Sequence, residues 1–441
     1  MKVPHIKNPT LQFALPVIFE TVASTLINLI FSSLIGGISG SSLTVISQSN
    51  TIISLITASL TMLTTGSSVL CARLLGAHDQ REASRVAEQT LLLSGVFSIV
   101  IMILCLIFTV PLLSLLMPNA EPAVLAEGVV YFRVLILSLP FLMLTSVLVS
   151  MQRASGDSRT AMLINVITGI LQLGFAFLFL RVFMPGVAGA GLTNLLCRIC
   201  SMMLAIWAVL RSHRFALKLR RIFIPHFPTF KRIFHIGLPA SFEAVFVQAG
   251  YLIAGSMVIG LGTFEAAAYN VANTLYSFAG LPQTIFSAIT LATTGHLLGA
   301  KEYAKAHRNG WKLWGMAVMS VLILGGILIA LRSRLTPLYS DAPAVQAAAA
   351  SAIFFALLMV IPGVSLNTLI PQLQAGGAVK IVMIITLFGV WIIRLPLTYL
   401  FCYHWTLGAK GVFLANAISM YVRLLCTTIC FVRGKYLYMR V

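Results

Sequence analysis

Long apolar runs separated by short polar breaks dominate this chain. A bilayer core takes about 20 apolar residues per helix. Twelve runs meet that length, near residues 11–36, 44–70, 90–116, 129–151, 160–183, 188–210, 236–261, 268–296, 312–331, 346–372, 380–402 and 411–432. The pattern predicts an all-α polytopic membrane protein with twelve transmembrane helices. Six precede a basic stretch and six follow it, giving an N-terminal six-helix bundle (1–210), a basic cytoplasmic linker (211–233) and a C-terminal six-helix bundle (234–441). Met1 to Thr10 lead straight into an apolar segment too long for a signal-peptide core, so a retained first span is expected.

The two halves read as copies of one another. LPVIFE (Leu15 to Glu20) returns as LPASFE (Leu238 to Glu243), 223 residues later. At the same offset RLLGAHDQREASR (Arg73 to Arg85) meets HLLGAKEYAKAHR (His296 to Arg308). Pro140 pairs with Pro362 and Gln152 with Gln374 at an offset of 222, and Met162 with Met383 at 221, the drift that small loop deletions produce. An even number of spans per copy puts both in the same orientation, which predicts two parallel-related six-helix bundles about an axis along the membrane normal. Transporters built this way hold substrate near the midplane between repeats.

Composition removes the soluble classes. The 441 residues are 59% hydrophobic and 9% charged, whereas a soluble domain carries about 25% charged residues. Lysine and arginine number 30 against 11 acidic residues, a net charge of +19. That excess flanks the apolar runs, so it reads as positive-inside topology and not as a nucleic-acid surface. With the N-terminus inside, twenty-two basic residues fall on inner loops and tails, among them Lys2, Lys7, Arg153, Arg214, Lys218, Lys301 and Arg440. Only Arg181, Arg332, Arg334 and Lys410 fall outside, which places both termini in the cytoplasm. The linker segment RSHRFALKLRRIFIPHFPTFKR is expected on the inner membrane surface. Cys197 and Cys200 have metal-like spacing, but no second pair accompanies them, so no metal site is expected.

Charge inside the membrane is scarce enough to enumerate. A carboxyl at the centre of a membrane helix costs about 2.5 to 3.5 kcal/mol, so it persists where it has a partner, a cavity or an ion to move. Glu20 and Glu243 are the embedded acids, and each follows a proline by four residues. Pro16 and Pro239 cannot donate to Gln12 and His235, which favours bends there. Pro140 and Pro362 are the other hinge candidates. Arg133, Arg198, Arg394 and Arg423 are the embedded bases. Arg133 and Arg198 are expected to reach water from span ends. Arg394, between Trp391 and Pro396, is a candidate for pairing a carboxylate or an anionic substrate group. Asn28, Gln172, Asn194, Gln248, Asn273, Gln283 and Gln374 are polar candidates, with Tyr276 among aromatic residues suited to flat hydrophobic cations. The same polar types also join helices, at about 0.6 kcal/mol each.

HExxH, GxxxxGK[ST] and GxSxG are missing from the sequence, which argues against an enzyme and against direct ATP drive. No cofactor is expected, and a proton or sodium gradient is the natural energy source.

LPxxxE opening each half, LGAxxxxxA after the second and eighth spans, and Trp391-x-x-Arg394-Leu-Pro together resemble the multidrug and toxic compound extrusion (MATE) family, nearest its bacterial DinF-like branch. The resemblance covers nearly the whole chain. It implies a cation-coupled antiporter working by alternating access, expelling organic, often cationic, compounds across the bacterial plasma (inner) membrane. Small-molecule substrate and lipid bilayer are the implied partners, nucleic acid is not, and a monomer suffices.

The resemblance also exposes departures. Phe31 stands where the family commonly has an aspartate late in the first span. In the fifth span, Gln172 and Ala176 stand where an asparagine and an aspartate are usual, and a family threonine corresponds to Thr193 or Asn194. Glu20 and Glu243 are then the candidates to replace the missing acids. The alternative is a lipid-linked oligosaccharide flippase or specialised metabolite exporter of the same superfamily, with Arg394 and the basic inner surface serving an anionic headgroup.

Overall fold

The computed structural model describes residues 9–36, 40–116, 122–183, 186–211, 215, 219–335 and 343–439. Lys2, Lys7, Arg214, Lys218 and Arg440 of the expected inner charge lie outside the described residues. The fold is all-α, and the described residues contain no strand. Among the described residues, eleven helices are long and apolar enough to cross a membrane: Ala14–Leu34, Val45–Gly76, Gln80–Ile107, Val124–Ala154, Ser158–Leu180, Val187–Arg211, Phe227–Ile259, Tyr303–Leu331, Ser351–Ala375, Val379–His404 and Ala409–Val432. Phe264–Ala279 and Leu281–Gly299, bent by 42° at their junction, supply the eighth of twelve spans.

Contacts divide the chain into Met1–Leu238 and Pro239–Val441. The boundary falls inside the seventh-span helix, which runs unbroken over Phe227–Ile259. The last residues of the expected linker, 227–233, are therefore the first turns of that helix.

Helices outrun the apolar stretches that announce them. The second continues to Gly76, the third starts at Gln80 and the ninth at Tyr303, against expected limits of 70, 90 and 312. Hydropathy marks the bilayer core, while a helix ends where its backbone amides find other partners. Asp79 caps the third span by accepting from the Glu82 amide at 3.0 Å. Asp157 caps the fifth by accepting from the Thr160 amide at 3.1 Å. Surface pairs Arg85–Glu82 and Lys305–Glu302, three residues apart, support the polar first turns of the third and ninth spans.

The turns repeat as the sequence does. His78 and Lys301, 223 residues apart, take left-handed φ values of 62° and 60°. Around them Ala77, His78 and Asp79 donate to Arg73, Leu75 and Leu74, and Ala300, Lys301 and Glu302 donate to His296, Leu298 and Leu297 in the same pattern. The next turn pair places Gly156 and Gly377 at φ 87° and 88°, where a residue without Cβ avoids strain.

The expected hinges fall into two kinds. Pro16 and Pro239 lie within continuous helices. Pro140 follows an interruption at Ser138, and Pro362 opens the helix that begins at Val360. The 42° break at Gly280, with Pro282 just after it, was not among them. The eleventh span contains two widened π turns, Phe388–Arg394 and Leu400–His404. In the first, Leu395 donates to Val390, five residues back.

Candidate functional site

In the first unit, Glu20 is buried at 6% exposure, one turn beyond Pro16. Arg153, from the last turn of the fourth span, donates from Nη2 to Glu20 Oε1. Asn165 of the fifth span donates from Nδ2 to the same oxygen at 2.6 Å. The carboxylate is thus neutralised by a direct ion pair. Arg153, assigned by hydropathy to an inner loop, is therefore part of the site. Gln152, its neighbour in sequence, is buried with neither amide atom hydrogen-bonded among the described residues.

The same arginine and asparagine face an open cavity of about 500 Å³ lined by the first, second, fourth, fifth and sixth spans. Asn28, Gln172 and Arg198 also line it. Arg198 belongs to this polar interior, near the middle of the sixth span, and not to a span end as expected. Gly169 lets the first span close against the fifth beside the cavity, because a Cβ there would strike Ile27.

Phe31 and Ala176 lie elsewhere, in an apolar cluster with Val45, Tyr131, Leu135 and Leu180. Ala176 is fully buried there. Aliphatic and aromatic groups fill the place where the family resemblance puts acids, so an ion would find no oxygen ligand from either position. Asn194 donates to Ala190 at 3.1 Å and Thr193 to Gly189 at 2.8 Å, both back onto their own helix.

In the second unit Glu243, 8% exposed, has repeat-related surroundings. Gln374 Nε2 donates to its Oε2 and the Thr386 hydroxyl to its Oε1, each at 3.1 Å. Gln374 is the counterpart of Gln152 and Thr386 that of Asn165. The guanidinium arrives differently: Arg423 Nη2 donates to the Thr386 hydroxyl at 3.0 Å. Thr386 therefore accepts from a cation and donates to an anion, linking three spans through one oxygen. Gly389 leaves room for this, because a Cβ there would collide with Arg423 Cγ and Cδ.

Arg394 is 2% exposed and stacks over Tyr251 with its guanidinium carbon 4.1 Å from the ring centre. It has no carboxylate within ion-pair distance among the described residues. Gln283 accepts from Asn367 at 3.2 Å. Tyr276 packs against the apolar cluster of Leu275 and Phe413. Asn273 is exposed on the same helix, and Gln248 is half-buried on the seventh span. Glu265, in the first turn of its helix, accepts from the Ala409 amide at 2.6 Å and so caps the last span.

Both glutamates and the embedded Arg423 stand out in the sequence, but the pairing of Glu20 with Arg153 and of Glu243 with Arg423 does not. One signal was present: Asn165 and Thr386 stand at the offset of 221 already set by Met162 and Met383. No comparable signal marks Arg423, whose repeat position in the first half is offset by a turn from Arg198.

A duplicated twelve-span bundle with one buried acid at the same place in each repeat defines a two-repeat polytopic membrane protein. The MatE family model matches residues 16–178 and, again, 239–400, once per repeat. The chain belongs to the MATE family of membrane transporters. It is 22% identical over 446 residues to the probable multidrug resistance protein NorM of Thermotoga maritima, covering 99% of this chain and 94% of that one. It is 23% identical over 400 residues to the uncharacterized transporter YisQ of Bacillus subtilis, covering 87% and 85%. Among solved structures, an outward-facing multidrug resistance MATE family transporter of the MOP superfamily superposes with a TM-score of 0.87 at 23% identity, covering 98% of this chain and 96% of that one.

Proposed function

We propose that this transporter is a secondary exporter of small organic amphipathic compounds, working by alternating access and driven by an inward proton or sodium gradient. It acts as a monomer in the bacterial plasma membrane with both termini cytoplasmic. Relatives named as multidrug resistance proteins support the export of organic compounds, and the asymmetry of basic residues supports the orientation.

The observation that carries the coupling is the chain Glu243–Thr386–Arg423. A hydroxyl has one proton to donate and two lone pairs to accept with. While Glu243 is ionised, Thr386 donates to it and accepts from Arg423. Neutralising Glu243 removes the acceptor charge that orients this arrangement and leaves Arg423 without its counter-charge. Contacts among the seventh, eleventh and twelfth spans then depend on ion occupancy, which is the differential interaction that coupling needs. Glu20, held directly by Arg153, is the more firmly locked of the two acids.

Efflux of a fluorescent organic substrate from proteoliposomes, with a proton or a sodium gradient imposed separately, tests this. One gradient drives export by the wild type. Glu243→Gln abolishes the response to that gradient while the protein stays folded, and Glu20→Gln reduces it less. Gradient-driven export retained in the Glu243→Gln variant rejects the assignment.

A further inference from the structure

We propose that the polar cavity of the first unit binds the anionic group of an amphipathic organic compound, a carboxylate, sulfonate or phosphate, with Arg198 as its principal cation. The charged side chains lining this space of about 500 Å³ are Arg153 and Arg198, and no aspartate or glutamate is among the lining residues. Arg153 is already paired with Glu20, so those two charges cancel. Arg198 has no carboxylate within ion-pair distance among the described residues. The cavity thus keeps an uncompensated positive charge, and a cation held within the membrane calls for a partner.

The rest of the lining fits an amphipathic anion. Asn28 and Gln172 offer amide donors, while Ile27, Leu142 and Val149 give an apolar wall. A guanidinium presents parallel N–H groups that match a carboxylate or phosphate in a two-point contact. The volume lies within the range of about 300 to 1,000 Å³ usual for small-molecule pockets. Phe31 and Ala176 sit in a separate apolar cluster, so those positions contribute no negative charge. In the second unit, too, two guanidinium groups, Arg394 and Arg423, are buried with Glu243. This charge distribution opposes the cationic cargo that the family resemblance leads one to expect. That the bound compound is also exported rests on the exporter reading; that it binds does not.

The test uses two probes with the same ring and opposite charge, 1-naphthoate and 1-naphthylmethylammonium, titrated calorimetrically into the full-length protein in neutral detergent. The wild type binds naphthoate at least about tenfold more tightly than the ammonium compound, and Arg198→Gln weakens naphthoate by at least about tenfold. Arg198→Lys retains part of the affinity. Gln172→Glu, which adds a negative charge to the lining, lowers it. Equal or tighter binding of the ammonium by the wild type overturns the proposal, as does naphthoate affinity unchanged in a folded Arg198→Gln protein. The wild-type comparison needs no variant and decides even if a substitution fails to fold.

Competition by a polyprenyl phosphate in micelles separates two sources of the same chemistry. Displacement of naphthoate assigns the group to a lipid headgroup, its absence to a free organic anion, and either upholds an anion site. Naphthoate binding without gradient-driven efflux sinks the exporter reading and leaves this one standing. Gradient-driven efflux with no naphthoate binding does the reverse.

Discussion

Glu20 and Glu243 occupy the same place in the two repeats and meet their cations in different ways. Glu20 touches Arg153 directly, whereas a threonine hydroxyl stands between Glu243 and Arg423. A direct, charge-assisted contact holds one arrangement, while a hydroxyl relay can reorient as its neighbours change charge. Gly389 is where this difference can be probed without replacing a charged residue. Gly389→Ala places a methyl against Arg423, and crowding of a packed interior costs about 1 to 3 kcal/mol. The expected outcome is a lower midpoint of thermal unfolding together with a weakened gradient response in efflux. An unchanged midpoint and response would show that Arg423 has room to move aside.

At the scale of elements, polar residues decide where the apolar helices stop and how they are tied. Gln89, 2% exposed on the third span, donates to the Ile224 carbonyl at 2.9 Å and accepts from the His226 amide at 2.8 Å. One side chain thereby fastens the segment ahead of the seventh span. Gln89→Leu leaves both backbone groups without this partner, at about 1 to 3 kcal/mol for groups that stay buried. Trypsin is expected to cut after the exposed Arg221 roughly tenfold faster in that variant. Cleavage at the wild-type rate would mean that the segment is held by other contacts. The left-handed His78 and Lys301 mark the same turn in each copy, so the duplication extends to backbone conformation at residues that differ chemically.

For the whole molecule, the sidedness of the basic residues gives a topology that labelling can read. In a chain lacking its seven native cysteines, Lys301→Cys and Lys410→Cys are made separately. A membrane-impermeant maleimide is expected to label Lys410→Cys in intact cells and Lys301→Cys only after permeabilisation. The opposite pattern would invert the assigned orientation. Not every basic residue that hydropathy gives to a loop reports topology: Arg153 is drawn into the polar interior, where it pairs with Glu20.

The number of spans, the duplication, the two embedded acids and the family were legible in the sequence, because each is written in the order of residues. Hydropathy is a per-residue transfer free energy, and a repeat is an offset. Which cation meets which acid was not legible. Arg153 reads as loop charge and Arg198 as a span-end residue until the fourth and sixth spans are rotated and packed on the first and fifth. Helix rotation and crossing depend on contacts such as Gly169 against Ile27, set by shape between residues far apart in sequence. The same packing buries Ala176 in an apolar cluster, sets Phe31 against it and leaves Arg198 facing a cavity. Composition, span pattern and family follow from residue order alone; where the charges meet follows from packing, since electrostatic energy depends on distances that no linear order specifies.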